Sequence, residues 1–128
     1  MGRRIRVGEA RGFTLIELMV VLTIMAILVS IAVPRYMNSL TKAREAALLE
    51  DLYIMRDAID KHYADTNEYP SSIQGLVDKK YIRTVPVDPF TDKSDTWVEV
   101  ESEEGNGISD VHSGSPGVGR NAVPYNEW

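Results

Sequence analysis

The 128-residue sequence contains no cysteine, which excludes a disulfide, a thiolate metal site and a cysteine nucleophile. It also lacks a basic body. After Gly12 there are 10 Lys and Arg against 18 Asp and Glu. Affinity for nucleic acid comes largely from neutralising phosphates with Lys and Arg, so no nucleic-acid partner is expected. There is no internal repeat and no G-x-S-x-G, Walker loop, H-E-x-x-H or zinc cluster. Ser113 and Ser115 show no His/Asp geometry beyond the neighbouring His112, which is thin ground for a nucleophile. Gly114, Gly117 and Gly119 fall in a loop rather than between a strand and a helix, so they do not form a phosphate cradle. No enzymatic activity is expected. The length fits one small domain and excludes a multidomain enzyme.

One long hydrophobic run is present. From Phe13 to Val33 only Thr14, Glu17, Thr23 and Ser30 are not apolar. As a helix, 21 residues span roughly 32 Å, the thickness of a bilayer's hydrocarbon. Arg3, Arg4, Arg6 and Arg11 precede it, and Arg35 and Lys42 follow. The denser positive charge is N-terminal, which places residues 1–12 in the cytoplasm and residues 34–128 outside. A cleaved secretory signal has a shorter apolar core and a small-x-small site, and Ser30-Ile31-Ala32-Val33-Pro34 makes a poor one. Arg3-Arg4 is thin ground for a twin-arginine signal. A plain signal anchor explains everything except Glu17.

Glu17 lies one turn into the span. Acidic residues near a bilayer centre cost about 2.5–3.5 kcal/mol on insertion scales, and less near an interface. An intramembrane carboxylate calls for a positive partner, and the span contains no base. A chain beginning at Phe13 would supply an ammonium one helical turn away, on its own subunit or a neighbour.

The segment Gly12-Phe13-Thr14-Leu15-Ile16-Glu17, behind a short basic leader and ahead of a continuous apolar helix, resembles the class III signal of the type IV pilin family, which includes the type II secretion pseudopilins. The resemblance implies cleavage by prepilin peptidase between Gly12 and Phe13, methylation of the Phe13 amine, and an assembly role for Glu17. Pro34 falls where the family has a helix-loosening proline. It removes a helix hydrogen bond, and a simple bend at the membrane exit is the alternative reading. The implied fold is α+β: a long N-terminal helix, half transmembrane and half amphipathic, carrying a small antiparallel sheet in a lollipop shape. The implied organisation is a leader at 1–12, an assembly helix at 13–33 and a pilin-like domain at 34–128.

The residues beyond the span fit this outline. Leu48, Leu52, Met55, Ile59 and Tyr63 recur at helical spacing and predict a stripe seated on the sheet, with the helix running to about Asp65. His62 is expected at a solvated or capped edge. Pro70 ends the helix, and Ser71 or Ser72 can cap a short one running to about Lys80. Val85 to Phe90 holds two prolines and reads as an extended connector. Trp97 to Glu101 alternates and predicts a strand with Val98 and Val100 inward. Residues 103–107 form a hairpin turn, and Ile108 to Val111 begin a second strand. Trp97 is a further core candidate, and Tyr125 and Trp128 can anchor the tail.

Tyr69-Pro70, Leu76 to Ile82, Asp88-Pro89-Phe90 and Glu127-Trp128 resemble the major pseudopilins more narrowly. Those proteins often read Asp-Pro-Trp-Gly-Asn-Pro-Tyr where this chain has Phe90-Thr91-Asp92-Lys93, so their calcium-binding loop does not transfer residue by residue. Asp92, Asp95, Glu101 and Asp110 are the available calcium candidates. Calcium takes six to eight oxygen ligands, and no ordered D-x-[DN]-x-[DN]-G spacing is present. A solvated acidic face is the competing reading.

The resemblance implies a helical homopolymer of a type II secretion pseudopilus that supports protein export. An inner-membrane assembly platform, a cytoplasmic ATPase and minor pseudopilins would be its partners. The subunit would sit in the bacterial inner membrane, single-pass with its N-terminus cytoplasmic, and then in a periplasmic pseudopilus or extracellular filament. A type IV pilin for adhesion or twitching is the first alternative. The missing cysteines lean against it, because many such pilins close their C-terminal region with a disulfide. A monomeric signal-anchored periplasmic binding module is the second.

Overall fold

A computed structural model describes Gly2 and residues 12–128. The basic leader positions Arg3, Arg4, Arg6 and Arg11 lie outside the described residues. The chain divides into two units, with the boundary between Ser39 and Leu40. Helix α1, Leu15–Thr66, runs from the first into the second without interruption.

In the first unit α1 opens on Thr14, whose Oγ1 accepts from the Glu17 N–H at 3.2 Å, while its carbonyl accepts from the Leu18 N–H. The apolar side chains that follow are all exposed. The span's two later hydroxyls turn inward on the helix. Thr23 Oγ1 donates to the Met19 carbonyl at 2.7 Å, and Ser30 Oγ donates to Ile27 at 2.6 Å. A hydroxyl satisfied by its own helix is tolerated in hydrocarbon. Pro34 lies inside α1 and the helical assignment continues through it. Having no N–H, it leaves the Ser30 carbonyl without its usual donor.

The second unit is built on the far half of α1. Leu48, Leu52, Met55 and Ile59 are fully buried, as the periodicity predicts, and Trp97 joins them. Two expectations for this face need correction. Tyr63 is 38% exposed and its ring packs tilted against Tyr69, with centroids 4.6 Å apart. Each step of four residues turns about 40° past a full circle, so a second consecutive step of four carries Tyr63 off the stripe. His62 takes the inward position instead. It is buried rather than solvated, with Nδ1 2.7 Å from the Glu68 carbonyl.

Helix α2, Ile73–Asp78, begins at Ser72, whose Oγ accepts from the Gly75 N–H at 3.0 Å, and it buries Ile73 and Leu76. The connector that follows is pinned at two points. Trp97 Nε1 donates to the Pro86 carbonyl at 2.8 Å. The buried Asp88 accepts from the Phe90 N–H at 2.9 Å and from Ser113 Oγ at 2.5 Å.

Strands β1, Val98–Glu101, and β2, Ile108–His112, pair antiparallel. The expected inward pair on β1 is not found: Val98 is 49% exposed and Val100 only half-buried. The core residues come from β2. Ile108 and Val111 are both buried although three positions apart. Between Val100↔Asp110 and Glu101↔Ile108 the register slips by one, so Ser109 is the extra residue of a bulge that turns both side chains inward. The hairpin closes through Gly107 at φ +88°, where a Cβ would stand 2.4 Å from the Pro70 carbonyl oxygen. That oxygen accepts the Ile108 N–H at 2.8 Å.

After β2 the chain carries only an isolated bridge, Val118↔Pro124, and a short 3₁₀ turn, Tyr125–Glu127. Two α1 side chains hold it. The buried Glu45 carboxylate accepts from Arg120 N–H at 3.0 Å, Arg120 Nε at 2.9 Å and Tyr125 OH at 3.0 Å. Arg56 Nε donates to Asp110 at 2.8 Å, and its Nη2 donates to the main-chain oxygens of Val111 at 3.0 Å and Trp128 at 2.6 Å. The Tyr125 ring stacks on Phe90 at 3.9 Å.

Two outcomes follow from this packing. Trp97→Ala should lower the unfolding free energy by about 3–5 kcal/mol in urea titrations followed by circular dichroism, because the core loses a large ring and a hydrogen bond together. The second concerns pH. Burial pushes the Glu45 carboxyl up, but the donors from Arg120 and Tyr125 outweigh burial and hold it below its ordinary value of 4.5. Its stabilisation is complete above pH 4.5 and is lost as pH falls through the lower folded value. Stability should therefore fall more steeply in this acid limb for the native chain than for Glu45→Gln, in which nothing titrates at that position.

Candidate processing and assembly site

The residues singled out at the N-terminus lie together at the start of α1. Gly12 and Phe13 precede the helix, and Phe13 is 83% exposed. Among the described residues nothing stands within 4 Å of where a Gly12 Cβ would be. The Gly12–Phe13 bond thus precedes the helix and is not covered by any described residue beyond its chain neighbours, as a protease cleft would require. Thr14 marks the boundary. Thr14-Leu15-Ile16-Glu17 has the capping-box pattern, with Thr14 as N-cap and Glu17 at the third helical position. Only the Thr14 half of the box is made, through the Glu17 N–H, and the i to i+3 spacing of Thr14 and Glu17 carries that signal in the sequence.

Phe13, Ile16, Glu17, Val20 and Val21 line one shallow groove, since they recur at helical spacing. Glu17 is thus the only acid in an apolar face, and its carboxylate is exposed. Among the described residues it makes no hydrogen bond or ion pair. A carboxylate in the first turn is favoured by the helix dipole, which supplies part of a charge and not a partner. The groove presents one unpaired negative charge a single turn from the Phe13 backbone nitrogen. That arrangement suits the capture of an ammonium in an apolar setting.

The calcium candidates do not assemble. Among the described residues no three His, Asp or Glu side chains are placed to share a metal ion. Asp110 is engaged by Arg56 and lies 3.6 Å from His112. Asp92 is held in a turn at φ +56°, and Glu101 is exposed on β1. Asp51 is pushed above the ordinary Asp value by burial and by the nearby Asp88 and Glu50. Both carboxylate oxygens of that Asp88 already accept hydrogen bonds. Ser113 is buried with its hydroxyl committed to Asp88, and His112 Nδ1 faces the Trp128 oxygen, so no nucleophile is formed there. Sequence reasoning also missed Glu45, Arg56 and Arg120. Glu45 and Arg120 are 75 positions apart, and no local pattern links them.

Residues 9–33 match the family described as the prokaryotic N-terminal methylation motif. The chain is similar to the type II secretion system core protein G of Pectobacterium carotovorum subsp. carotovorum, 38% identical over 96 residues that cover 62% of each protein. The Klebsiella michiganensis protein of that name is 36% identical over 96 residues, covering 62% of this chain and 68% of that one. The Escherichia coli K12 protein of the same name is 31% identical over 124 residues, covering 84% of this chain and 83% of that one. The aligned segment thus spans less than two thirds of the Pectobacterium relative and more than four fifths of the Escherichia one. No solved structure matches. A methylation motif at the foot of α1, an α+β unit built on the far half of that helix, and similarity over most of the length place this chain in the family of the type II secretion system core protein G, the pseudopilins.

Proposed function

We propose that prepilin peptidase cuts this pseudopilin between Gly12 and Phe13, that the new Phe13 amine is methylated, and that Glu17 then neutralises the ammonium of an adjacent subunit during assembly. The observation that carries the reading is the unpaired Glu17 carboxylate in an apolar face, one turn from an uncovered Gly12–Phe13 bond. Cleavage creates the missing positive charge at the position where the groove lacks one. In low dielectric the pair is worth more than in water, because neither charge has another partner.

The exposed apolar segment 13–33 then serves twice, as a membrane anchor before assembly and as the filament's helical core after it. Its N-terminus faces the cytoplasm and residues 34–128 face the periplasm. A cytoplasmic ATPase, an inner-membrane platform and minor pseudopilins act with it to extend a homopolymer that supports protein export. Pro34, with the Ser30 carbonyl lacking its donor, lets the helix loosen as the subunit leaves the bilayer.

Two measurements check this. Intact mass of the chain from native membranes should correspond to N-methyl-Phe13 at the N-terminus; a start at Met1 or after Ala32 contradicts the processing step. Glu17→Gln should be processed normally yet fail to assemble, since a buried ammonium left without its partner typically costs about 3–5 kcal/mol. Normal filaments sheared from cells carrying a fully processed Glu17→Gln chain would remove Glu17 from assembly.

A further inference from the structure

The resemblance to major pseudopilins implies a calcium-binding loop in the C-terminal third, and the residues of this chain do not fit one. From Val111 to Asn126 there is no Asp or Glu, so that stretch offers only hydroxyl, amide and main-chain oxygens. The carboxylates that reach it from elsewhere are already engaged. Glu45 takes three donors from Arg120 and Tyr125, Asp88 takes Ser113 and Phe90, and Asp110 takes Arg56. The segment also carries Arg120, a fixed positive charge with Nε 2.9 Å from Glu45. A hard cation that takes six to eight oxygens would meet a guanidinium where it needs a carboxylate.

Something must nevertheless hold residues 113–128, which contain no β-strand and one three-residue 3₁₀ turn. We propose that two arginine staples replace the metal: Arg120 on Glu45 and Arg56 on the Trp128 main-chain oxygen lock the C-terminal segment onto α1 without a divalent cation. Each staple is bidentate or better. Arg120 brings its main-chain N–H and its guanidinium to the two oxygens of one carboxylate, and Tyr125 OH adds a third donor. Arg56 spans Asp110, Val111 and Trp128, tying the end of the segment to β2 as well as to the helix. His112 Nδ1, 3.0 Å from the same Trp128 oxygen, reinforces that end. Charge-assisted contacts of this kind are geometrically specific, which is what metal coordination would otherwise supply. The inference concerns the fold of the second unit and is independent of polymerisation.

The test is trypsin cleavage at the Arg120–Asn121 bond of the full-length chain in detergent micelles, with calcium chloride or with the chelator EGTA. Cutting there requires the Arg120 side chain to leave Glu45 for the protease, so its rate reports the opening of that staple. The native chain should be cut at the same rate in both. A structural calcium present at a hundred times its Kd would slow opening about a hundredfold, a difference that cannot be overlooked. Glu45→Gln should be cut at least about tenfold faster whether or not calcium is present. If Glu45→Gln loses its circular dichroism, Tyr125→Phe removes one donor onto Glu45 and should give a smaller acceleration in the same direction. Protection of the native chain by calcium, or unchanged cutting in folded Glu45→Gln, would overturn the proposal.

Discussion

From Leu15 to Val33, α1 is apolar enough to cross a membrane, and a helix in hydrocarbon must satisfy its backbone polar groups internally. The rest of the chain depends on that constraint being met by one helix and then relaxed within the same helix. Thr14 supplies the cap that starts it, and Thr23 and Ser30 bend their hydroxyls back onto carbonyls of the same helix. Pro34 is the first residue that cannot contribute an N–H, and it stands just past the end of the apolar run. From there the helix no longer needs to be apolar all round. It becomes one-sided, and the Leu48-to-Ile59 stripe becomes the surface on which a small core can form.

That core has few regular elements to rely on: a six-residue helix and a two-stranded sheet. A unit this small buries a modest share of its surface, and cysteine is absent from the chain, so packing alone leaves the connections loosely specified. Buried polar groups specify them instead. Asp88 fixes the connector to Ser113, and Glu45 and Arg56 fix the C-terminal segment to the helix. None of these sites is left half-satisfied, since no buried side-chain nitrogen or oxygen lacks a partner among the described residues. Such groups contribute less net stability than apolar packing of equal volume, but removing one partner leaves the other stranded. They therefore define one arrangement of the loops more sharply than they deepen the fold's free-energy minimum.

The two ends of the molecule use charge in opposite ways. In the second unit each buried charge is matched within the subunit, as with Glu45 and Arg120. At the foot of α1, Glu17 is left unmatched among the described residues. In the assembly proposed above, a charge that is costly to leave alone gives a subunit a reason to accept a neighbour.

What the sequence alone determined was local. The apolar run, the methylation motif at its start, the stripe from Leu48 to Ile59 and a cap at Ser71 or Ser72 were all readable, because each depends on residues within a turn or two of one another. Tyr63 and His62 exchanged their expected places, since the stripe's helical phase is set by what packs on it. Val98 was misplaced for a similar reason. Alternation does not say which face is inward, and the regular pairs Val98↔His112, Glu99↔Val111 and Val100↔Asp110 put the β1 valines on the face opposite the buried Val111. The pairing of Glu45 with Arg120, and of Arg56 with Trp128, was decided only by the tertiary structure. Those partners lie 75 and 72 positions apart, and a charged side chain carries no mark in sequence of which distant group will desolvate beside it.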